Sequence, residues 1–416
     1  MVFRLIRRLV FTYNRIMGMI DTPRANRLHI AFFGRRNAGK SSLINAVTGQ
    51  NLAIVSDIKG TTTDPVYKAM ELLPLGPVVM IDTPGFDDEG KLGELRVNRA
   101  KQVLNKTDAA VLVLDGESNE TSLSSIENEL ITLFKSRNIP FIIAFNKHDI
   151  LCAFVPPCEL FGMEALPVSA KTGFNIDLLK EKIAEIAGEQ EPKQRLIEDL
   201  IKPDDFIVLV IPIDKAAPKG RLILPQQQMI RAILEAGASA VSVRESELEQ
   251  ALKDLGKKPA LVITDSQVFA QVSEVVPREI PLTSFSILFA RYKGFLETAV
   301  KSAYALDSLK NGDKILICEG CTHHRQCDDI GTVKIPRMVK GHCSAEPEFA
   351  FCSGGDFPQE LKEFKLIIHC GSCMLNEREM RYRRLHSEEQ GIPFTNYGTA
   401  IAHITGILKR SIEIFN

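Results

Sequence analysis

An apolar run of strand length, Leu28 to Phe33, is followed at once by Gly34-Arg-Arg-Asn-Ala-Gly39-Lys40-Ser41. Nothing else in the 416-residue chain limits its fold as strongly. The pattern G-x-x-x-x-G-K-[ST], set between a strand and a helix, wraps backbone N–H groups round phosphates and aims a helix N-terminus at them. The helix is expected over Ser42 to Thr48. Gly34, Asn37, Ala38, Gly39, Lys40, Ser41 and Ser42 form the expected cradle. Lys40 is expected to reach the β- and γ-phosphates, and Ser41 to ligate Mg2+. An α/β fold follows for this part of the chain.

Three further blocks come in order. Asp82-Thr83-Pro84-Gly85 follows the apolar run Val78 to Ile81, which places a carboxylate near the magnesium and a glycine N–H near the γ-phosphate. Asn146-Lys147-His148-Asp149 follows Phe141 to Phe145. The Asp149 carboxylate can accept two hydrogen bonds from guanine N1–H and its 2-amino group, which adenine does not offer. Ser169-Ala170-Lys171 is expected to support the base. Four such blocks in sequence resemble a small GTPase domain with GTP as its ligand. Gly60-Thr61-Thr62-Thr63-Asp64 lies where a first switch loop would be, with Thr62 expected on Mg2+ and Thr61 beside it. Phe86 stands where many GTPases carry a water-orienting glutamine. The pattern around Asn37 is similar to the potassium-activated GTPases of the tRNA-modification and ribosome-assembly group. That resemblance implies an asparagine-held K+ acting like an arginine finger. Glu94 is a candidate for orienting water, or else part of a solvated charged face. The expected catalytic set is therefore Lys40, Thr62, Gly85, Asn37 and Glu94.

Seven of the nine cysteines fall between Cys318 and Cys373. Two pairs, Cys318/Cys321 and Cys370/Cys373, are Cys-x-x-Cys, with His323 and His369 beside them. Thiolates and imidazoles so paired can close on one metal centre. Both pairs sit at the carboxyl ends of expected strands, Lys314 to Ile317 and Leu366 to Ile368, where open α/β sheets build sites. The helices Arg378 to His386 and Thr399 to Leu408 are expected to cover that sheet. Spacing alone leaves an iron–sulfur cluster and a four-cysteine zinc site both open, because zinc ribbons bring their pairs closer together. Cys327, Cys343 and Cys352 have no partner at ligand spacing.

Between these regions, Phe206 to Ile213, Ala240 to Val243 and Ala260 to Thr264 read as buried strands with helices between them. No histidine, cysteine or phosphate loop occurs there, so packing or subunit contact is the expected role. The fold class is thus α/β, a P-loop GTPase domain followed by two smaller α/β domains, the last with a parallel sheet carrying a metal-cluster site. The expected boundaries are 20–190, 195–300 and 306–416. Residues 1–19, basic and apolar, are expected to be a leader outside the native fold, or disordered. An amphipathic membrane-surface helix is the other reading. Fifty-one Lys+Arg against 52 Asp+Glu give a net charge of −1, with no general attraction to nucleic acid or acidic membrane. Concentrated cysteines fit a reducing cytosol, hence a cytoplasmic protein. No apolar run approaches the roughly 20 residues that span a bilayer.

A potassium-type GTPase, then a small α/β domain, then Cys321-Thr-His323 and a distant His369-Cys370-x-x-Cys373, looks like the HydF family, GTPase maturation factors of [FeFe]-hydrogenase. The resemblance implies that Cys321, Cys370 and Cys373 hold a [4Fe–4S] cluster whose fourth place is open or weakly held, with His323 and His369 as candidates. Cys318 is then a fourth thiolate or, preferably, a spare buried thiol. It further implies a scaffold that carries a diiron precursor with CO and CN− ligands, works with radical-SAM maturases, and delivers to apo-[FeFe]-hydrogenase. Dimer contacts in the middle domain, giving a homodimer or higher assembly, come from the same resemblance. The alternative is an RNA-associated GTPase with a zinc module. From Leu306 onward there is no excess of Lys and Arg over Asp and Glu, and so no basic footprint for a phosphate backbone.

Overall fold

The computed structural model describes residues 23–49, 65–85, 101–116, 123–150, 159–160, 163–188, 195–213, 222–320 and 329–415. The chain divides into two compact units, Met1–Pro192 and Lys193–Asn416. Among the described residues no helix is long and apolar enough to cross a membrane.

The first unit is built on a seven-stranded sheet ordered β2-β3-β1-β4-β5-β7-β6. Its strands are β1 (Leu28–Phe33), β2 (Val66–Leu72), β3 (Gly76–Asp82), β4 (Ala109–Asp115), β5 (Phe141–Asn146), β6 (Glu159–Leu160) and β7 (Met163–Pro167). The central pairs are parallel, and β2 and β6 join antiparallel at the two edges. Strands such as Ala109–Asp115 are apolar at nearly every position because both faces are covered. Helices α1 (Lys40–Thr48) and α3 (Ile176–Gly188) pack on one face, and α2 (Ser125–Ser136) packs on the other. Ser124 starts α2 with a reciprocal capping box, its Oγ accepting from the Glu127 amide while the Glu127 carboxylate accepts from the Ser124 amide.

The second unit holds two four-stranded parallel sheets, ordered β11-β10-β8-β9 and β13-β12-β14-β15. The first contains β8 (Phe206–Val210), α4 (Leu224–Glu235), β9 (Ser239–Val243), α5 (Leu248–Asp254), β10 (Leu261–Thr264), α6 (Phe269–Val275) and β11 (Leu282–Ser284), followed by α7 (Phe285–Tyr292) and α8 (Leu296–Ala303). The second contains β12 (Lys314–Glu319), α9 (Ile335–Cys343), β13 (Glu348–Ser353), β14 (Phe364–His369), α10 (Glu377–Glu389) and β15 (Phe394–Asn396), then α11 (Tyr397–Ile404) and α12 (Leu408–Ile412). In each half the first strand lies between the second and the third, and the fourth is at the edge.

Register makes the likeness of the halves residue-specific. Val210 pairs with Val243 and Thr264, and Thr264 with Ser284. Cys318 pairs with Cys352 and His369, and His369 with Asn396. The segments leading through each fourth strand also correspond, Ile280-Pro-Leu-Thr-Ser-Phe and Ile392-Pro-Phe-Thr-Asn-Tyr. Their helices are exchanged. Ala290, Phe295 and Ala299 of the first half pack against Leu316, Ile367 and Phe394 of the second, while Ala402 and Leu408 pack against Val208, Val210 and Val262 of the first.

Two expected elements are corrected. The run Phe206 to Ile213 is a strand only to Val210, because Pro212 has no N–H to continue the ladder. The closing helix is not continuous from Thr399 to Leu408. It ends at Ile404, and Gly406 takes φ 75°, a left-handed value that ends helices, before α12 begins. Strands β11, β13 and β15 go beyond the expected set.

The halves touch most closely where α7 meets α11. A Cβ on Gly398 would lie 2.7 Å from Ser286 Cβ and 2.9 Å from its Oγ, and the Gly398 amide donates to Ser286 Oγ at 3.2 Å. Asn396 Nδ2 donates to the Ser286 carbonyl at 2.9 Å. Gly398→Ala is therefore expected to destabilise the second unit by about 1–3 kcal/mol through overpacking. Adding Ser286→Gly should return part of the loss. Denaturant unfolding of the two variants checks this, and equal stability of Gly398→Ala and the parent would contradict the contact.

Candidate functional site

The nucleotide end of the first unit is built at the carboxyl ends of β1, β3 and β5. Gly34 leaves β1 so close to β4 that a Cβ would sit 2.2 Å from the Val113 carbonyl oxygen. Asn37 at φ 62° and Gly39 at φ 85° curl the loop so that its amides turn inward. Lys40 is buried and folds back over the loop, its Nζ donating to the carbonyls of Gly34 at 3.0 Å and Arg35 at 2.7 Å. Ser41, in the first turn of α1, donates from Oγ to Asp82 Oδ2 at 2.5 Å. Those two oxygens are the pair expected to share Mg2+. Burial pushes the Asp82 carboxyl up, against the pull of Ser41, Lys40 and Lys68. Gly85 runs hard against the loop, since a Cβ there would be 2.8 Å from the Arg36 backbone.

Asn146, at the end of β5, ties three segments together. Its Nδ2 donates to the Ala38 carbonyl at 3.0 Å and its Oδ1 accepts from the Ala170 amide at 3.1 Å. Lys147, at φ 66°, reaches Asp115 at 2.8 Å. Asp149 Oδ1 accepts from Ser169 Oγ at 2.6 Å, with Lys171 Nζ 3.8 Å from the other carboxylate oxygen. The Ser169 hydrogen bond, aided by Lys171, holds the Asp149 carboxyl below its usual range, so it stays an acceptor. Ser42 follows Ser41 in α1. The expected residues Gly34, Asn37, Ala38, Gly39, Lys40, Ser41, Ser42, Asp82, Gly85, Asn146, Lys147, Asp149, Ser169, Ala170 and Lys171 thus all lie at or just beyond the carboxyl ends of strands of one sheet. Thr61, Thr62 and Glu94 lie outside the described residues, as do Cys321, His323 and the leader 1–19.

The second unit gathers its chemistry at the carboxyl ends of β12 and β14. The Cys370 amide donates to the Cys318 carbonyl at 2.8 Å, extending the ladder into the loop. Cys370 Sγ accepts from the amides of Gly320 at 3.1 Å and Ser372 at 3.4 Å. Ser372 adopts φ 61°, turning the backbone back so that Cys370 and Cys373 belong to one tight loop. Burial pushes both thiols up, Cys373 to about 11, against the pull of Lys293 on Cys373 and of Arg383 on Cys370. Lys293 Nζ also donates to the Leu375 carbonyl at 2.9 Å, so α7 braces this loop from the other half.

His369, expected as a candidate fourth ligand, is fully buried with both ring nitrogens engaged. Nδ1 lies 3.0 Å from the Cys370 carbonyl, which makes it the protonated nitrogen, and Nε2 accepts from Arg383 at 3.0 Å. Burial and the Arg383 charge pull the imidazole down to about 3, so it is neutral. In this arrangement His369 orients the loop instead of offering a lone pair to a metal.

Arg383 carries no signal in the sequence that would single it out. It has no exposed surface, donates from Nε to Glu379 Oε1 at 2.9 Å and to the Gly354 carbonyl at 2.6 Å, and its guanidinium lies 5.1 Å from the Phe357 ring centroid. Cys352, without a partner at ligand spacing, has one in space. Its Sγ is 3.0 Å from Cys318 Sγ because the two residues are paired on adjacent strands. Burial pushes the Cys318 thiol up, while the contact with Cys318 holds the half-buried Cys352 thiol low. Tyr397 Oη is buried with no hydrogen-bond partner among the described residues, and it converges with the Glu319 carboxylate on Gly331, at 2.4 and 2.6 Å from where a Cβ would be.

Comparison with known proteins bears on both units. Residues 29–147 match the 50S ribosome-binding GTPase family. Residues 196–294 match the hydrogen maturase F dimerization domain, and residues 297–414 match the hydrogen maturase F tetramerization domain. The chain belongs to the hydrogen maturase F family. Its first unit carries a GTPase domain, and its second carries the family's dimerization and tetramerization domains. Curated relatives include the tRNA modification GTPase MnmE of Histophilus somni (strain 129Pt), 32% identical over 39% of this chain and 36% of that protein. GTPase Der of Wolinella succinogenes is 33% identical over 39% of this chain and 36% of that protein. The chain thus matches less than half the length of these relatives. Among solved structures, a point variant of Era from Aquifex aeolicus shares 22% identity over 52% of this chain and 92% of that one, with a TM-score of 0.34.

Replacing Arg383 by Leu would strand Glu379 as a buried charge and leave His369 Nε2 and the Gly354 carbonyl without their donor. The expected loss is about 3–5 kcal/mol of stability. Glu379→Leu added to Arg383→Leu should recover part of it, because no lone charge then remains. Unfolding free energies of the single and double variants check the assignment.

Proposed function

We propose that this maturation GTPase carries a [4Fe–4S] cluster on Cys321, Cys370 and Cys373 and uses it as the platform for a diiron precursor delivered to apo-[FeFe]-hydrogenase. The observation that carries the reading is the Cys370–Cys373 loop. Two half-buried thiols, with backbone N–H groups already directed at Cys370 sulfur, stand at the carboxyl end of a parallel sheet. Thiols held so high lose their protons readily only to a bound cation, and the donor set of soft sulfurs suits iron–sulfur ligation. Gly320 keeps the passage beside Cys370 narrow, since a Cβ there would lie 2.9 Å from Leu375 and 3.6 Å from Cys370 Sγ. With His369 committed to Arg383 and Cys370, the fourth place falls to His323, to another donor, or to solvent. An exchangeable place is what a carrier needs, because a fully closed centre cannot accept and release a partner. The cluster when bound supplies a site for that exchange. The protein's part is to hold the thiolates, exclude water and keep the loop turned.

Hydrolysis by the first unit is read as the timer. With GTP and Mg2+ bound, Thr62 would hold the first switch loop, and hydrolysis would release it and so bias partner exchange with the radical-SAM maturases and the hydrogenase. Asn37 is assigned a K+ that stabilises charge in the transition state, and Glu94 the orientation of water. Asn37 stands within the phosphate loop at φ 62°, which supports this assignment. The matches to MnmE and Der each cover 39% of this chain.

Two experiments test this. Purified without oxygen, the protein should be brown and hold iron and sulfide. Cys370→Ser and Cys373→Ser should remove the chromophore while GTP hydrolysis stays within about twofold, and a colourless, zinc-loaded protein would sink the cluster reading. Separately, hydrolysis should run faster in K+ than in Na+, by roughly tenfold or more, and Asn37→Ala should abolish the difference. Equal rates in the two salts would contradict the Asn37 assignment.

A further inference from the structure

A second set of ligand-type side chains lies at the opposite pole of the last sheet. Asp307 precedes β12, His342 is at the end of α9, and His403 is near the end of α11. In a parallel sheet the crossover helices run back against the strands, so helix C-termini collect at the amino ends of the strands. The cysteine loops occupy the carboxyl ends. Three segments far apart in sequence therefore bring an imidazole, an imidazole and a carboxylate together, at the other end of the strands from Cys370 and Cys373.

The geometry is convergent. His342 Nε2 lies 2.7 Å and His403 Nε2 2.8 Å from the same oxygen, Asp307 Oδ1. One ligand atom from each of the three residues falls within 4.8 Å of the others. The imidazoles are mostly covered, 23% and 11% exposed, whereas the Asp307 side chain is 50% exposed, so the open side of the triad faces water. His403 is held edge-on by the Tyr304 ring at 4.8 Å, and the two imidazole rings are 5.5 Å apart. The two histidines hold the Asp307 carboxyl low, and no lysine or arginine contributes to that shift.

We propose that Asp307, His342 and His403 form a binding site for a first-row divalent cation, with Zn2+ preferred over Fe2+. Two imidazoles and one carboxylate are the ligand set of open zinc and ferrous sites, and nitrogen-rich sites favour zinc by the usual order of affinities. Ion entry requires the proton of each imidazole to sit on Nδ1, leaving both Nε2 lone pairs to replace the present hydrogen bonds to Asp307. A shift of the exposed carboxylate by a fraction of an ångström makes room. Water completes the coordination. The ion would clamp the 304–308 turn, α9 and α11 together, a structural role independent of the cluster.

The test uses the full chain with its cysteines intact, dialysed against micromolar ZnCl2. Zinc-edge anomalous scattering from crystals locates the ions, and zinc content and melting temperature are measured on the same preparation. A peak bonded to His342 and His403, and a zinc-dependent rise in melting temperature, are expected. His342→Ala and Asp307→Asn should each weaken that ion by roughly tenfold or more and remove the rise. Asp307→Asn keeps a hydrogen-bond acceptor at an exposed position, so it decides the matter if a histidine variant fails to fold. Zinc found at the thiols alone, or affinity and melting unchanged in Asp307→Asn, overturns the proposal. Anaerobic Fe2+ in place of Zn2+ gives the second arm, where a tighter fit for iron would overturn the stated preference. Because the readout is the position of the ion, failure here leaves the cysteine reading untouched, and the reverse also holds.

Discussion

The Arg383 guanidinium is taken wholly out of water. An ion in that position costs several kcal/mol unless charge and hydrogen bonds answer it from every side. Glu379 answers from the preceding turn of α10, the Gly354 carbonyl from the end of β13, His369 from the end of β14, and the Phe357 ring from one face. The consequence runs outward in a fixed order. Arg383 makes Nε2 of His369 an acceptor, so Nδ1 must carry the proton, so the ring holds the Cys370 carbonyl. The direction in which Cys370 Sγ can point is thereby set from within the core before any ligand arrives.

The nucleotide loops are held by a different device with the same logic. Asn146 is neutral, and its two ends face opposite ways, one taking the Ala170 amide and the other giving to the Ala38 carbonyl. Gly39 leaves room for it, since a Cβ there would lie 2.2 Å from Asn146 Nδ2. A phosphate cradle must accept and release its ligand, and a neutral clamp lets it do so without stranding a buried charge. At the cysteine end the anchor is instead the charged Arg383, fixed on all sides by Glu379, Gly354 and His369.

This contrast also explains what can be read from the sequence. The phosphate loop is legible down to individual residues because its chemistry is contiguous, with eight residues giving the strand exit, the turn and the helix start. The cysteine loop is legible for the same reason, as Cys370-Gly-Ser-Cys373 is one turn. Arg383 is not, because α10 reads Glu-Arg-Glu-Met-Arg-Tyr-Arg-Arg and carries no periodic apolar signal that would place one arginine inward. Its burial is decided by Gly354 and His369, which lie 29 and 14 positions away. The Cys318–Cys352 pair is hidden because register, not spacing, brings those thiols together. The triad of Asp307, His342 and His403 is of the same kind, three residues that share no motif and meet only through crossover helices.

The two halves of the second unit show how little of the site belongs to the scaffold. Strand order and register agree, yet Val210, Val243 and Thr264 stand where the other half has Cys318, Cys352 and His369. The fold supplies strand ends and loops in both places; the ligand-bearing side chains occur in one. The other half is nonetheless tied to the site mechanically. Its helices are exchanged across the unit, so Ala290 and Phe295 pack under the cysteine-bearing sheet and Lys293 reaches the Leu375 carbonyl. Lys293, just past the end of α7, braces the loop that holds Cys373, and the close Ser286–Gly398 contact keeps the start of that helix against α11.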